Sequence, residues 1–274
     1  MTFKDRILRR AFNKLYRHRL ADMLQPEFPI LLDYPVDSRP RYGYGKPSHP
    51  QLLTLLDSGR ERYAERLHRF CSLREWLCKI PVEPNGLCTP HWNQAWFTTL
   101  DAVSLYGMLC EFRPKRLIEV GSGYSTKFAR RAISDHGFGT HITSMDPAPR
   151  AEIDEICDSV IRTSLEHADL RIFEKLEPGD FLFIDSSHRV FQNSDVMIAF
   201  LELLPRLKPG IIFHFHDIFW PRDYLPEWSG RYYSEQYLLG TYLLGDAGSK
   251  IEILMPNAFV CQDEKLAEVC KPLT

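Results

Sequence analysis

The sequence has few of the features that would indicate a membrane, an oxidising compartment or a nucleic-acid partner. Its 274 residues include seven cysteines, an odd number, with no C-x-x-C pair, so we expect reduced thiols in a cytoplasmic protein. No apolar run approaches the roughly 18 residues that cross a bilayer, and we expect no signal peptide because an apolar core is missing near the N-terminus. The net charge is only −2, which favours no nucleic acid.

Positive charge is concentrated in residues 1–20. This stretch contains seven basic residues and one acidic residue, with apolar residues at roughly helical spacing between them. The pattern is typical of a basic amphipathic helix, which either binds an anionic surface or packs on its own domain with solvated arginines.

The pattern of apolar residues changes along the remainder of the chain. Apolar residues recur at helical spacing in residues 51–78, and prolines then interrupt the pattern. We expect residues 1–90 to form a helical cap or an interface segment, and residues 91–274 to form the main domain. Strands and helices alternate from residue 116 onward. The predicted strands are residues 116–120, 141–145, 160–162, 181–184, 211–215, 250–254 and 258–261.

This alternation predicts an α/β fold with helices on both faces of a mostly parallel sheet. We expect a Rossmann-like, doubly wound sheet of seven strands, with an antiparallel last strand because the two final strands follow each other closely. In such a sheet, ligands bind beyond the carboxyl ends of the strands, where the strand order reverses.

A glycine turn follows the first predicted strand in the segment R-L-I-E-V-G-S-G-Y-S-T, residues 116–126. Gly121 and Gly123 permit a sharp turn close to a ligand, and the next helix begins near Ser125 with free N–H groups. A dinucleotide fingerprint has a third glycine, but Thr126 occupies that position. Glu119 at the strand end suits a ligand with an ammonium group, and an ordinary strand–helix turn is the alternative.

Other strand ends also carry acidic residues and histidines. Asp146 ends the second strand, where a carboxylate binds the ribose of either a nicotinamide or a sulfonium nucleoside, or else caps the following helix. Asp185 ends the fourth strand, and the fifth runs into His216 and Asp217. His214 alternates with His216 and is expected to be a core histidine.

The segments F-L-F-I-D-S-S-H (181–188) and I-I-F-H-F-H-D (211–217) resemble those of class I S-adenosylmethionine (SAM)-dependent O-methyltransferases. The resemblance covers residues 90–262 and is closest to a bacterial branch allied to macrolide-sugar O-methyltransferases and the cephalosporin-hydroxylase-like group. It implies methyl transfer from SAM to a hydroxyl oxygen of a sugar or secondary metabolite. The residues that it places at SAM are Glu119, Gly121, Ser122, Gly123, Ser125, Asp146 and Asp185.

The same resemblance implies a catalytic set of His188, as general base, and Asp185. It also implies a divalent metal held by Asp185, His216 and Asp217. His216 stands where the sugar O-methyltransferases have an acidic residue, and imidazole suits Zn, Fe, Ni or Cu better than Mg. The sequence therefore leaves open whether a metal binds and which one.

Three other functions remain open on the sequence. The first is a SAM-binding protein, or an enzyme that cyclises or cleaves SAM. The second is a metal-dependent hydrolase or oxygenase built on the same acidic residues and histidines, and the third is a nicotinamide oxidoreductase. In each case we expect a small-molecule substrate and no nucleic acid, and we allow for a homo-oligomer. Aromatic residues from Trp220 to Tyr233 follow the fifth strand and are expected to wall the site.

Overall fold

A sheet of parallel strands lies at the centre of the computed structural model, which describes residues 35–246, 248 and 250–273. Within these residues the sheet has five strands, in the order β3-β2-β1-β4-β5. They are β1 (Arg116–Val120), β2 (His141–Met145), β3 (Ser159–Ile161), β4 (Phe181–Ile184) and β5 (Ile212–Phe215). Each agrees with a predicted strand to within one residue.

β4 is a continuous apolar run, the pattern that is typical of a parallel strand buried on both faces. All four residues of β4 are buried, as are the last four of β1. β1 pairs with β2 on one side and with β4 on the other, with Val120 opposite Ile184. The strand order therefore reverses between β1 and β4, which is the position where ligands bind in such sheets.

Helices lie before, between and after the strands along the chain. They are α1 (Pro50–Asp57), α2 (Arg60–Cys71), α3 (Arg74–Leu77), α4 (Thr99–Phe112), α5 (Tyr124–His136), α6 (Asp195–Ile198), α7 (Glu235–Asp246), α8 (Asn257–Gln262) and α9 (Glu264–Cys270). α6 continues as a π-helical turn, Ala199–Leu203, and a 3₁₀ turn, Leu204–Arg206. Further 3₁₀ turns are Asp154–Ile156, Leu165–His167, Leu170–Lys175, Pro226–Arg231 and Lys271–Leu273.

The predicted antiparallel end of the sheet is wrong. Residues 258–261 lie in helix α8, and residues 250–254 are in neither a helix nor a strand. Phe259 and Val260 of α8 are both buried, and the Phe259 ring packs against Tyr63 of α2 at 6.3 Å. A short apolar run of this kind fits a helix or a strand equally well, and packing against α2 selects the helix here.

The N-terminal segment contains three helices among its described residues, and residues 35–49 are irregular. The apolar residues predicted at helical spacing over residues 51–78 lie on α1, α2 and α3, and Tyr63, Leu67 and Phe70 of α2 are fully buried. Arg39–Thr274 form one compact unit, and the predicted division at residue 90 stays a prediction. The predicted basic helix of residues 1–20 lies outside the described residues. Among the described residues, no helix is long and apolar enough to cross a membrane.

Candidate active site

The glycine turn joins the end of β1 to the start of α5. Gly121 has a φ of 80°, and a Cβ placed on it would lie 1.7 Å from the carbonyl oxygen of Asp185. Glycine is therefore required there by both conformation and space. A Cβ on Gly123 would meet no atom within 4 Å, so the backbone at this position faces open space.

Glu119 lies beneath this turn rather than at the surface. Its side chain has no exposed area, and neither carboxylate oxygen has a hydrogen-bond partner among the described residues. Burial raises the pKa of Glu119 to about 7, although the nearby hydroxyls of Thr126 and Ser125 favour the ionised form. An unpartnered buried carboxylate of this kind fits a cationic ligand above it.

Asp146 holds the glycine turn from the neighbouring strand end. Its Oδ2 accepts a hydrogen bond from the Ser122 amide at 2.9 Å, and its Oδ1 accepts one from the Ala148 amide at 2.8 Å. Asp146 caps no helix, so the capping alternative does not apply. Each oxygen keeps a further lone pair for a ligand hydroxyl.

A cleft of about 260 Å³ opens over these residues. Its walls come from the loops after four strands and from Trp96, whose ring lies 4.4 Å from the guanidinium of Arg150 across the cleft. The loop contributions are residues 121–125, 146–148, 164–166 and 185–186. Two cleft residues, Glu166 and Ser186, have a buried side-chain oxygen without a partner in the described part of the chain. The cleft therefore fits a polar ligand of nucleoside type.

A cluster of histidines and acidic residues adjoins this cleft through Asp185. The Nε2 atom of His188 is 3.2 Å from Oδ1 of Asp185 and 3.5 Å from Oδ2 of Asp217. On the other side of the ring, Nδ1 is 2.9 Å from Oε2 of Glu235. His188 is buried, and Glu235 has no exposed surface.

The surroundings of His188 favour its charged form. Burial by itself would lower the pKa of His188, but the hydrogen bonds to Asp185 and Glu235 outweigh it and hold this pKa well above its ordinary value. Carboxylates face both ring nitrogens, so His188 is an imidazolium in this arrangement. It can accept a proton only after the Nε2 proton has been released, for which Asp185 and Asp217 are the adjacent carboxylates.

Asp185, His216 and Asp217 also lie together as a potential metal-binding group. One ligand atom from each lies within 4.8 Å of those of the other two. Nε2 of His216 is 3.7 Å from Oδ1 of Asp217. One imidazole and two carboxylates form a donor set that suits Zn, Fe or Mn better than Mg, because Mg prefers an all-oxygen site.

His214 is separate from this chemistry. Its ring stacks on Phe183 at 4.3 Å, and its Nε2 is buried without a partner among the described residues. Burial and the neighbouring His216 lower the pKa of His214 to about 4, so it is neutral at pH 7 and packs as a core residue.

The central part of the chain is similar to a known protein family. Residues 118–218 match the family model of a methyltransferase domain. The match begins within β1 and ends just beyond Asp217, so it includes the glycine turn, Asp146 and the histidine cluster. It supports an enzyme that transfers methyl groups and implies SAM as the methyl donor. No curated protein and no solved structure matches this chain.

Several contacts at this candidate site were not predicted from the sequence. The contact of Glu235 with His188 joins residues 47 positions apart, for which the sequence has no signal. Asp195 holds the loop after β4, because its Oδ2 accepts a hydrogen bond from the Ser187 amide at 2.8 Å. The contact between the Arg150 guanidinium and the Trp96 ring at this cleft is a feature of the tertiary structure alone.

The predicted aromatic wall divides into two parts in the structure. Trp220 is buried against Gly240 of α7 and donates its Nε1–H to the Gln236 carbonyl, so it is a packing residue. Tyr233 lies at the site, with its ring 4.8 Å from that of His188. Trp228 packs against Tyr233 at 5.7 Å.

Proposed function

We propose that this protein transfers a methyl group from SAM to a hydroxyl oxygen of a small molecule, a sugar or a secondary metabolite, with His188 as the general base. The observation that carries the proposal is the shared cleft at the ends of β1, β2 and β4. It places the glycine turn, Asp146 and Asp185 around one space within the matched methyltransferase domain. The unpartnered oxygens of Glu119, Glu166 and Ser186 support a polar, cationic nucleoside as its occupant.

The residues divide between cofactor and acceptor. Glu119 provides a negative charge below the turn, and the backbone of Gly121, Ser122, Gly123 and Ser125 lines the methionine end of the cleft. Asp146 is placed to bind ribose hydroxyls. SAM supplies the methyl group on a sulfonium, which is a good leaving group, so the protein needs to contribute alignment and proton removal.

His188 is the candidate base because Glu235 holds its ring on the Nδ1 side and leaves Nε2 directed towards the strand ends. Glu235 accepts a hydrogen bond from Nδ1 at 2.9 Å, and Nε2 points at the two strand-end carboxylates. Nε2 would first release its proton to Asp185 or Asp217, and an acceptor hydroxyl beside Nε2 would then pass its own proton to the neutral ring. The acceptor therefore has to enter between His188 and these carboxylates.

A divalent metal at Asp185, His216 and Asp217 is part of this proposal. These residues would hold the ion, which would supply a positive charge that orients an acceptor oxygen and lowers its pKa. The mixed nitrogen and oxygen donors favour Zn, Fe or Mn. No step of the proposed proton transfer depends on this ion.

The first experiment is isothermal titration calorimetry of the purified protein with SAM, with S-adenosylhomocysteine and, as a control, with NADH. We expect one site for each of the first two ligands and none for NADH. Absence of binding by both SAM and S-adenosylhomocysteine would overturn the proposal.

The second experiment separates methyl transfer from SAM binding alone. The protein is incubated with SAM and a library of hydroxylated metabolites, and mass spectrometry follows the gain of one methyl group. In His188→Ala we expect turnover to fall by about 10²-fold or more, with SAM affinity unchanged. Binding of SAM without any methylated product would favour a SAM-binding or SAM-cleaving protein instead.

A further inference from the structure

Two arginine side chains lie over the ring of Tyr233, beside the proposed base. The guanidinium carbon of Arg189 is 5.0 Å from the ring centroid, and that of Arg231 is 5.6 Å from it. Arg231 also lies 4.2 Å from the ring of Trp228. Since Tyr233 packs on His188 at 4.8 Å, these cations and aromatic rings form one wall, the Arg189–Arg231 wall, next to His188.

The wall has positive charge that no acidic residue in the described part of the chain pairs with. Among residues 35–246, 248 and 250–273, neither guanidinium has a carboxylate within 4.0 Å. Arg189 donates only to backbone carbonyls, those of Arg231 at 2.9 Å and Ser187 at 3.3 Å. Arg231 is exposed, and its recorded contacts are with the two aromatic rings.

The acidic residues of the site contact His188 and not the two arginines. Asp185, Asp217 and Glu235 all face the imidazole of His188, so they do not pair with the arginines. Two guanidinium groups around one ring repel each other, and an anion between or beside them would relieve that repulsion. Guanidinium also has the planar fork that matches a carboxylate, phosphate or sulfate.

We propose that Arg189 and Arg231 form a subsite for an anionic group carried by the methyl acceptor, which makes the substrate a carboxylate-, phosphate- or sulfate-bearing hydroxy compound. The inference rests on the proposed function, because it takes the acceptor to lie beside His188. Trp228 and Tyr233 provide flat faces for a sugar or aromatic ring. Arg189 directly follows His188 in the chain, so an anion bound there positions a hydroxyl of the same molecule near the base.

The alternative is that the arginines only cover the aromatic rings. An exposed cation–π contact contributes about 0.5–1 kcal/mol, and it requires no ligand. On that alternative, the wall would not distinguish an anionic probe from a neutral probe of the same shape.

The experiment compares matched probes that differ only in charge. Protein loaded with S-adenosylhomocysteine, and protein without it, is titrated at constant ionic strength with glucuronate against glucuronamide, and with glucose 6-phosphate against glucose. Binding is followed by ligand-observed NMR. We expect the anionic member of at least one pair to bind about tenfold more tightly than its neutral partner. Acetate and inorganic phosphate, as free anions, should bind more weakly than the probes that carry the same groups.

Two variants test whether the preference for the anionic probe depends on the Arg189–Arg231 wall. Arg231→Gln removes an exposed side chain that makes no side-chain hydrogen bond, so the variant should fold normally, which thermal unfolding checks. We expect its affinity for the anionic probe to fall about fivefold or more, with no change for the neutral probe. Arg206→Gln is the control, because Arg206 is an exposed arginine whose only recorded charged partner is Glu202 at 4.0 Å. It should leave both affinities unchanged.

Several outcomes would overturn the subsite. These are equal affinities within both pairs, absence of binding by both anionic probes, an anionic preference that Arg231→Gln does not reduce, and free anions that bind as tightly as the larger probes. The two proposals fail separately. Discrimination without any binding of S-adenosylhomocysteine would remove the proposed function and leave an anion site, whereas cofactor binding without discrimination would remove only the subsite.

Discussion

The Nδ1 atom of His188 lies 2.9 Å from the Oε2 atom of Glu235, and the two residues are also joined through their backbones. The carbonyl oxygen of His188 accepts hydrogen bonds from the amides of Ser234 and Glu235, at 2.8 and 3.2 Å. The first turn of α7 is therefore attached to the loop after β4 by three contacts. This attachment fixes the orientation of the imidazole towards the ends of β4 and β5.

Removing the Glu235 carboxylate should destabilise the fold. Glu235→Ala leaves a buried imidazolium without its partner, which typically costs about 3–5 kcal/mol. Glu235→Gln keeps a carbonyl oxygen that accepts from Nδ1, so its cost should be clearly smaller. Urea unfolding measures both. Glu202→Gln, which alters an exposed pair with Arg206, is the control and should change the unfolding free energy by less than about 1 kcal/mol. Equal costs for the Ala and Gln variants would mean that the hydrogen bond to His188 contributes nothing.

The two glycines of the turn should respond differently to alanine. Gly121→Ala forces a side chain into a left-handed conformation and against the Asp185 carbonyl at 1.7 Å, so we expect a loss of about 3 kcal/mol or more, or no folded protein. In Gly123→Ala the new side chain meets open space, so we expect its unfolding free energy to lie within about 1 kcal/mol of that of the parent. Thermal unfolding of the two variants side by side tests this, and a Gly121→Ala protein as stable as the parent would show that the turn is not constrained as described.

The buried carboxyl of Glu119 should make stability depend on pH. Its pKa is raised from 4.5 to about 7 in the folded chain, so between these values the folded state binds more protons than the unfolded state. The unfolding free energy then decreases as pH rises through this window. Relative to the parent, Glu119→Gln should gain about 2–3 kcal/mol of unfolding free energy between pH 5 and pH 8.

Urea unfolding of the parent and of Glu119→Gln, at pH 5, 6, 7 and 8, measures this difference while the other titrating groups cancel. A difference in unfolding free energy that is constant over this range would show that folding does not raise the pKa of Glu119. Bound SAM should weaken the effect, because a cationic ligand stabilises the carboxylate.

The residue at position 216 should set metal preference. After dialysis against a chelator, we expect one ion of Zn²⁺ or Mn²⁺ per chain to bind more tightly than Mg²⁺, because His216 supplies a nitrogen. His216→Glu converts the group to three carboxylates, and we expect it to shift the ratio of Mg²⁺ to Zn²⁺ affinity by about tenfold or more in favour of Mg²⁺. Calorimetry with each chloride salt measures the ratio. No binding of any of these ions to the parent would remove the metal from the proposal.

Much of the sheet could be predicted because its strands are local apolar runs. β4 reads F-L-F-I and ends at Asp185, and the segment of β1 ends at the glycine turn. Their boundaries follow from the switch between buried residues and turn residues, which the sequence contains directly. The grouping of Asp185, His216 and Asp217 was also predicted, because the ends of adjacent parallel strands lie side by side.

The C-terminal segment was predicted wrongly because its pattern is short. The run around Phe259 and Val260 is apolar without a clear period, and residues 250–254 alternate as a strand would. Whether such a run pairs with β5 or packs as α8 on α2 depends on contacts with residues almost 200 positions earlier in the chain, such as Tyr63. Local patterns do not contain that information.

The positions of the five strands along the chain, the glycine turn and the acidic residues at strand ends follow from the sequence alone, since each depends on residues within a few positions of one another. The tertiary structure decided which groups face each other. It placed Glu235 against His188, set Arg189 and Arg231 around Tyr233, and buried Glu119 without a partner. These relationships join distant segments, and they depend on how helices and loops pack over the sheet, which no short stretch of sequence specifies.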